Sequence, residues 1–275
     1  MKKESYFIDK ISTKSSGIGD DGVYKDGLIY SMDAFFENIH FKREWSSLKE
    51  IAQKSMLVNI SDAIAMNAKP LYALLTIAMP KSITKNQIDE LTSGFLEVSK
   101  KYGCEIVGGD TIANSKLDIS ITIISKPLGK LVERKGLKLG HELAYTGELG
   151  SVARDLKKAL LGHKIPKNSK LITPKLEGEF FYAIAPYVSS GLDISDGLFF
   201  ELSRLSKINR VGFEFYHSIK KSIGCSGEEY GMLFSYDIKY KKTIERLAKK
   251  HRVKITPFAR ATRGRFINPC KEHHF

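Results

Sequence analysis

The chain has no long hydrophobic run. Its most extended nearly apolar stretch, residues 71–79, falls far short of the roughly 20 residues that cross a bilayer, so no membrane helix and no membrane partner are expected. The opening Met1-Lys2-Lys3-Glu4-Ser5 leads into no apolar core of a secretory signal, and the expected location is the cytoplasm. Cysteine is scarce. Cys104, Cys225 and Cys270 are scattered without a C-x-x-C pair, which supports neither a zinc site nor a disulfide framework. All three are expected to be reduced, with Cys104 buried. Also missing are the P-loop G-x-x-x-x-G-K-[ST], the kinase H-R-D and D-F-G, G-x-S-x-G and H-E-x-x-H. A phosphate enzyme built on this chain belongs to none of the groups those motifs define, and no Ser-His or Cys-His pair is evident.

What is present is a chain of 275 residues, 42% apolar, enough for a substantial core in one large or two ordinary domains. Lys and Arg total 44 against 31 Asp and Glu, a net charge of +13 that attracts anions: nucleic acid, nucleotides or phosphorylated metabolites. Much of the excess lies in residues 239–265, where it also reads as a solvated face. A basic nucleic-acid-binding protein is the non-enzymatic alternative. The chain has no aromatic-basic interleaving of the kind that binds RNA, so nucleic acid is not an expected partner.

The pattern predicts α/β organisation. Residues 28–32 read as a short strand delivering Asp33, followed by an apolar loop, Phe35-Phe36-Glu37-Asn38-Ile39-His40-Phe41. Leu48, Ile51, Ala52, Ser55, Met56, Asn59 and Ile60 have helical spacing, and the helix carries on through Asp62 to Met66. Residues 71–79 form a strand closed by Pro80, and Thr84 caps a helix to about Tyr102. A short strand at 104–107 turns out through Gly108-Gly109-Asp110-Thr111, and alternation over 117–123 marks a half-buried strand. After a polar segment at 130–138 come a strand at 143–146 and the turn Gly147-Glu148-Leu149-Gly150 into a helix at Ser151, a start suited to cradling phosphate. A helix at about 176–189, one from 198 to about 207, strands at 212–216, 232–236 and 253–258, and a basic helix complete the pattern.

Asp20, Asp21, Asp33, Asp62, Asp110, Asp193 and Asp196 lie at strand ends, helix starts or glycine turns, where α/β folds build sites. Gathered together they require several divalent cations. The stretch Gly17-Ile18-Gly19-Asp20-Asp21-Gly22 satisfies G-x-G-x-x-G, but no strand precedes it and two carboxylates would repel a pyrophosphate, so metal binding is the better reading. Asn59-Ile60-Ser61-Asp62 is echoed by Asp193-Ile194-Ser195-Asp196, which leaves open whether the halves are related.

The set and order Gly-Ile-Gly-Asp-Asp, Ser-Met-Asp, Asn-Ile-Ser-Asp-Ala, Gly-Gly-Asp-Thr and Asp-Ile-Ser-Asp-Gly-Leu resemble the thiamine-monophosphate kinase family, in the superfamily of aminoimidazole ribonucleotide synthetase, selenophosphate synthetase and the hydrogenase maturation protein. The resemblance runs over about 17–234. It implies a two-domain aminoimidazole ribonucleotide synthetase-like fold, divided at 1–130 and 131–275, with N-terminal halves of two subunits pairing into a barrel in a homodimer. It implies transfer of the ATP γ-phosphoryl group to thiamine monophosphate, with Mg²⁺ ions. By motif position, Asp21, Ser31, Met32 through its carbonyl, Asp33, Asp62, Asp110, Asp193 and Asp196 would hold metal; Asp33, Asp62, Asp110 and Asp196 form the catalytic set. Gly109, Asp110, Arg134 and Ser195 would contact ATP, and His40 and Glu228 the acceptor.

The chain departs from the family's Gly-Glu-Asp-Tyr-Glu-Leu at Gly227-Glu228-Glu229-Tyr230-Gly231-Met232, on the acceptor side. Phe266 is a candidate for the aromatic that stacks on the acceptor, with a core role as the competing reading. Aminoimidazole ribonucleotide synthetase is the enzymatic runner-up. Selenophosphate synthetase is disfavoured by the lack of a reactive cysteine near a glycine-rich N-terminal loop, and the hydrogenase maturation protein by the residues after Cys270.

Overall fold

The structure, a computed structural model, describes residues 3–12 and 18–271; Gly17, Met1 and Lys2, and residues 13–16 and 272–275 lie outside them. Helix α1 (Lys3–Ile11) comes first. Strands β1 (Val23–Lys25) and β2 (Leu28–Phe36), helix α2 (Leu48–Ala65), strand β3 (Ala68–Pro80), helix α3 (Lys85–Tyr102) and strands β4 (Glu105–Asn114) and β5 (Asp118–Pro127) follow. After them come β6 (Glu142–Thr146), α4 (Ser151–Leu160), α5 (Gly178–Ile184), β7 (Val188–Asp193), α6 (Leu198–Asn209), β8 (Gly212–Phe215), α7 (Lys221–Gly224), β9 (Met232–Tyr236), α8 (Lys241–His251) and β10 (Ile255–Thr262). The strands form two five-stranded sheets, ordered β1-β2-β5-β3-β4 and β7-β9-β6-β10-β8. Among the named strands of the described residues, only β3 and β4 pair in parallel, joined by the α3 crossover that parallel neighbours require.

Helix α2 ties the sheets together. Ser47 caps it with a capping box: its side chain accepts from the Glu50 N–H while Glu50 accepts from the Ser47 N–H at 2.8 Å. Fourteen of its 18 residues are buried, so it behaves as a core helix covered on all sides. One cluster accordingly runs from Phe35, Ile119 and Ile121 of the first sheet through Ile60 and Ile64 to Phe234 and Tyr236 of the second. Thr84 caps α3 in the same way, with Gln87 as its partner.

Several boundaries differ from the sequence reading. Strand β2 runs on through Asp33 to Phe36, because Phe35 continues the inward-facing series and pairs opposite Ile119 of β5; the loop begins only at Glu37. Strand β4 passes straight through Gly108-Gly109-Asp110-Thr111. Gly109 is there for the sheet: its φ is +150° and a β-carbon would fall 1.8 Å from the Leu75 carbonyl oxygen. The helix expected over 176–189 stops at Ile184, gives one 3₁₀ turn at Ala185–Tyr187 containing Pro186, and becomes β7. Cys225 and Cys270, expected to be reduced, form a disulfide with Cα atoms 5.7 Å apart; 45 residues separate them, so spacing gave no signal. Cys104 is free and buried, as expected. Phe266 packs against Phe199, Phe213 and Phe215 in the second sheet's core. No helix among the described residues is long and apolar enough to cross a membrane.

Helices α2 and α3 touch at Gly94, where a β-carbon would meet the Lys49 carbonyl oxygen at 2.3 Å and the Ala52 β-carbon at 2.8 Å. A backbone oxygen cannot rotate away, so overpacking outweighs the roughly 1 kcal/mol of helix propensity gained by alanine. Gly94→Ala should destabilise the protein by about 1–3 kcal/mol. Urea unfolding checks this as a lowered midpoint with an unchanged slope; an unchanged midpoint would show that the helices part without cost.

Candidate active site

Alternation along β2 turns Ser31, Asp33 and Phe35 toward α2 while Met32 stands exposed. The Asp33 N–H donates to Asn59 Oδ1 at 2.8 Å, fixing the strand against the helix. Asn59 and Asp62 are one helical turn apart on the same face, which brings Asp62 beside Asp33. Asp193, the last residue of β7, arrives from the second sheet, and its Oδ2 accepts from Ser61 Oγ at 2.6 Å. The two sequence echoes therefore meet; one lies inside a helix and the other at a strand end, so they are not equivalent structures.

Asp21 completes the centre. Carboxylate oxygens of Asp21, Asp62 and Asp193 all lie within 4.8 Å of one another. Arg134 holds the N-terminal arm: its N–H donates to Asp20 Oδ1 at 2.6 Å, and its guanidinium bonds the Gly19 carbonyl at 3.3 Å and Asp21 Oδ1. Arg204 pairs with Asp196 at 2.5 Å and with the fully buried Glu201 at 2.7 Å. Ser195 lies between the two aspartates of its motif, and its carbonyl accepts from the Glu228 N–H at 2.6 Å.

Burial dominates the electrostatics. It pushes Asp20 up to about 6, and burial followed by repulsion from Asp21 and Asp196 pushes Asp33 up to about 6. Asp62 and Asp193 lie well above the usual carboxylate range, through burial first and the neighbouring aspartates second. Asp21 is raised by burial although Arg134 pulls the other way. Two arginines thus compensate only part of this negative charge. Asp21 Oδ2 and Ser31 Oγ are buried without a hydrogen-bond partner. Carboxylate and hydroxyl oxygens with a strand carbonyl form the donor set of a hard divalent cation, and the residues fit Mg²⁺.

Other expected residues stand apart. Asp33, Ile121, Leu75 and Gly109 form one row across the first sheet, so Gly109 and Asp33 are three strand spacings, about 14 Å, apart. Asp110 is exposed on β4, the sheet's edge, where it accepts from the Thr111 N–H; the single chain leaves it outside the cluster. His40 Nδ1 accepts from the Phe36 N–H at 2.9 Å. Glu228 pairs with Lys54 at 3.2 Å. The phosphate cradle expected at Ser151 is filled from within: Glu229 Oε1 accepts from the Gly150 and Val152 N–H groups at 2.6 and 3.2 Å, and Lys170 pairs with its other oxygen at 2.7 Å. A carboxylate at a helix N-terminus does there what a phosphate would. The departure Glu229 thus has a structural task.

Sequence reasoning gave no role to Asn59, Ser61, Lys54 or Arg204. The last was findable, since Glu201 and Arg204 are spaced i, i+3 in the helix after Asp196.

Residues 19–126 match the family described as AIR synthase related protein, N-terminal domain. A thiamine-monophosphate kinase of Bacillus subtilis is 32% identical over 76% of this chain and 69% of its own length. One from Nitrosopumilus maritimus is 28% identical over 95% of this chain and 90% of its own. Among solved structures, thiamine monophosphate kinase of Aquifex aeolicus superposes with a TM-score of 0.84 at 21% identity, covering 97% of both chains. AaThiL complexed with AMPPCP and TMP superposes with a TM-score of 0.82 at 22% identity, covering 96% of this chain and 90% of that one. At such identities the superpositions establish the aminoimidazole ribonucleotide synthetase-like fold, and the closer sequence match establishes kinship: the chain belongs to the thiamine-monophosphate kinase family.

Proposed function

We infer that this chain is an ATP-dependent kinase that phosphorylates thiamine monophosphate to thiamine diphosphate. The observation that carries the reading is the convergence of Asp21, Asp33, Asp62, Asp193 and Asp196, from four separate segments, in a chain of this family. Asp21, Ser31, Met32 through its carbonyl, Asp33, Asp62, Asp193 and Asp196 would hold Mg²⁺. Bound there, the metal neutralises the phosphates of two polyanions so that they can approach.

The protein's own groups do the rest. Arg134 and Ser195 take the nucleotide side, with Arg134 also holding the Asp20-Asp21 arm in place. His40 and Glu228 take the acceptor, whose cationic thiazolium suits a carboxylate. An oxygen of the acceptor phosphate attacks the γ-phosphorus and the bond to the β-phosphate oxygen breaks, releasing ADP. That oxygen is already anionic at neutral pH, so no general base is needed, which accounts for a site rich in Asp and poor in His.

Our reading keeps two units, 1–130 and 131–275, in a cytoplasmic homodimer. Supporting the dimer, β4 is an unpaired edge, and Met32, Tyr72, Leu74, Val107 and Ile112 expose apolar surface on the first sheet. Gly109 and Asp110 of a second copy would then complete the metal and nucleotide site across the barrel.

Incubation with Mg-ATP and thiamine monophosphate, followed by chromatography, should yield thiamine diphosphate, and Asp62→Asn should abolish it while the melting curve stays normal. Full activity of Asp62→Asn, or turnover only with the aminoimidazole precursor, would refute the assignment.

The raised carboxylates also predict a pH signature. A folded-state pKa near 6 for Asp20 and Asp33 means the folded protein binds more protons than the unfolded chain between about pH 4 and 6, so metal-free stability falls as pH rises through that window. Mg²⁺ must displace those protons. Its gain in Tm should therefore be larger at about pH 7.5 than at about pH 5; equal gains by calorimetry would place the ion elsewhere.

Ile112→Asp on the exposed edge should shift sedimentation from dimer to monomer. A wild-type monomer would exclude the barrel.

A further inference from the structure

Lys54 is a buried lysine on α2 to which the proposed reaction gives no task. Its ammonium donates to the Leu171 carbonyl oxygen at 2.8 Å and to Glu228 Oε2 at 3.2 Å, and stands 5.6 Å from the centre of the Phe35 ring. Its side chain is 5% exposed against 25% for Glu228. An ammonium has three donors, and here two oxygens and a ring face surround it. An apolar side chain of similar length would serve packing as well or better, since a buried ion pair rarely outweighs the desolvation of its members. What Lys54 adds is control over its partner.

Glu228 needs that control. It sits in a turn with φ at +55°, its N–H bonded to the Ser195 carbonyl, so its backbone is fixed against the metal-bearing segment. Tyr230, two residues on, donates its backbone N–H to the Ile194 carbonyl at 2.9 Å, so the turn that carries Glu228 is held along the Asp193–Asp196 segment. Left alone, a carboxylate on a turn bonded to that segment is drawn to any cation bound among the aspartates. The ammonium on α2 gives it another partner, at 3.2 Å. The same ammonium lies over Phe35, whose ring stacks on His40 with centroids 5.7 Å apart and on Phe41 at 5.0 Å. Through Lys54 and Phe35, Glu228 and His40 become one assembly built on α2 and β2.

We propose that Lys54 is a positioning residue for the acceptor: it keeps the Glu228 carboxylate turned to the acceptor subsite and away from the metal cluster, and so sets selectivity for an acceptor that joins an organic cation to a phosphate. This rests on the kinase reading above.

The test uses the protein with Mg²⁺ and five forms: wild type, Lys54→Met, Lys54→Arg, Glu228→Gln and the double variant Glu228→Gln/Lys54→Met. Lys54→Met should raise the KM for thiamine monophosphate tenfold or more with the KM for ATP nearly unchanged, and Lys54→Arg, which keeps the charge, should recover a large part of the loss. Because Lys54 acts through Glu228, adding Lys54→Met to Glu228→Gln should cost little more than Glu228→Gln alone. Equal rises in both KM values, additive losses, or no rescue by arginine would make Lys54 a structural residue and overturn the proposal. Calorimetric titration of thiamine monophosphate runs beside the assay. A wild type that binds it without turnover refutes the kinase reading, and the proposal then stands on a tenfold weaker Kd in Lys54→Met and falls on an unchanged one. A wild type that does not bind it overturns both.

Discussion

Buried carboxylates that repel one another need an outside force to stay together, and in this protein the force comes from the core. Asp62 is carried by a helix covered on nearly every side, Asp33 by a strand hydrogen-bonded to that helix, and Asp193 by the end of a strand from the other sheet. Their repulsion acts against hydrophobic burial spread over both sheets, so it can be contained without being relieved. Arg134 and Arg204 take up part of the charge and tie down the two contributors that lie outside helix and strand, Asp21 and Asp196. The result is a pre-formed negative centre whose remaining charge is matched by what the reaction brings.

A second layer of organisation concerns which charges are kept for chemistry and which for construction. Glu229 and Glu228 are neighbours in the chain with opposite fates. One is buried at the start of α4, bonded to two N–H groups, Ser226 and Lys170; the other is partly exposed and paired with a single ammonium. Positive φ at Glu228 and Tyr230 lets so short a turn send successive side chains in different directions. The disulfide between Cys225 and Cys270 fastens the segment after β10 just before this turn.

Much of the fold could be read from the residues. Helix α2 announces itself through the helical spacing of its residues from Leu48 to Ile60, α3 through its Thr84 cap, and β5 through strict alternation. The errors have physical causes. Glycines in β4 look like a turn, yet Gly109 is required because β3 comes too close for any side chain. Phe35-Phe36-Glu37 breaks the alternation that would have extended β2. Of the candidate site, the aspartates were legible because their motifs carry them. Asp110 shares their motif character, but sequence order does not show that its strand is a sheet edge, from which it would join the cluster of a second copy. Lys54 and Arg204 were passed over because a lone basic residue in a chain of net charge +13 reads as solvated surface until burial is known.

Helix α2 is made early in the chain and finished late in the fold. Its first face is covered by strands that end at Pro127, but the residues that cover the opposite face, among them Phe180, Phe181 and Phe234, are synthesised only later. During translation from the N-terminus an apolar helical face therefore stands open for the time needed to add about 100 residues, several seconds or more at ordinary elongation rates. The geometry that lets one helix serve two sheets thus leaves part of its apolar surface without its cover on the nascent chain until β9 emerges.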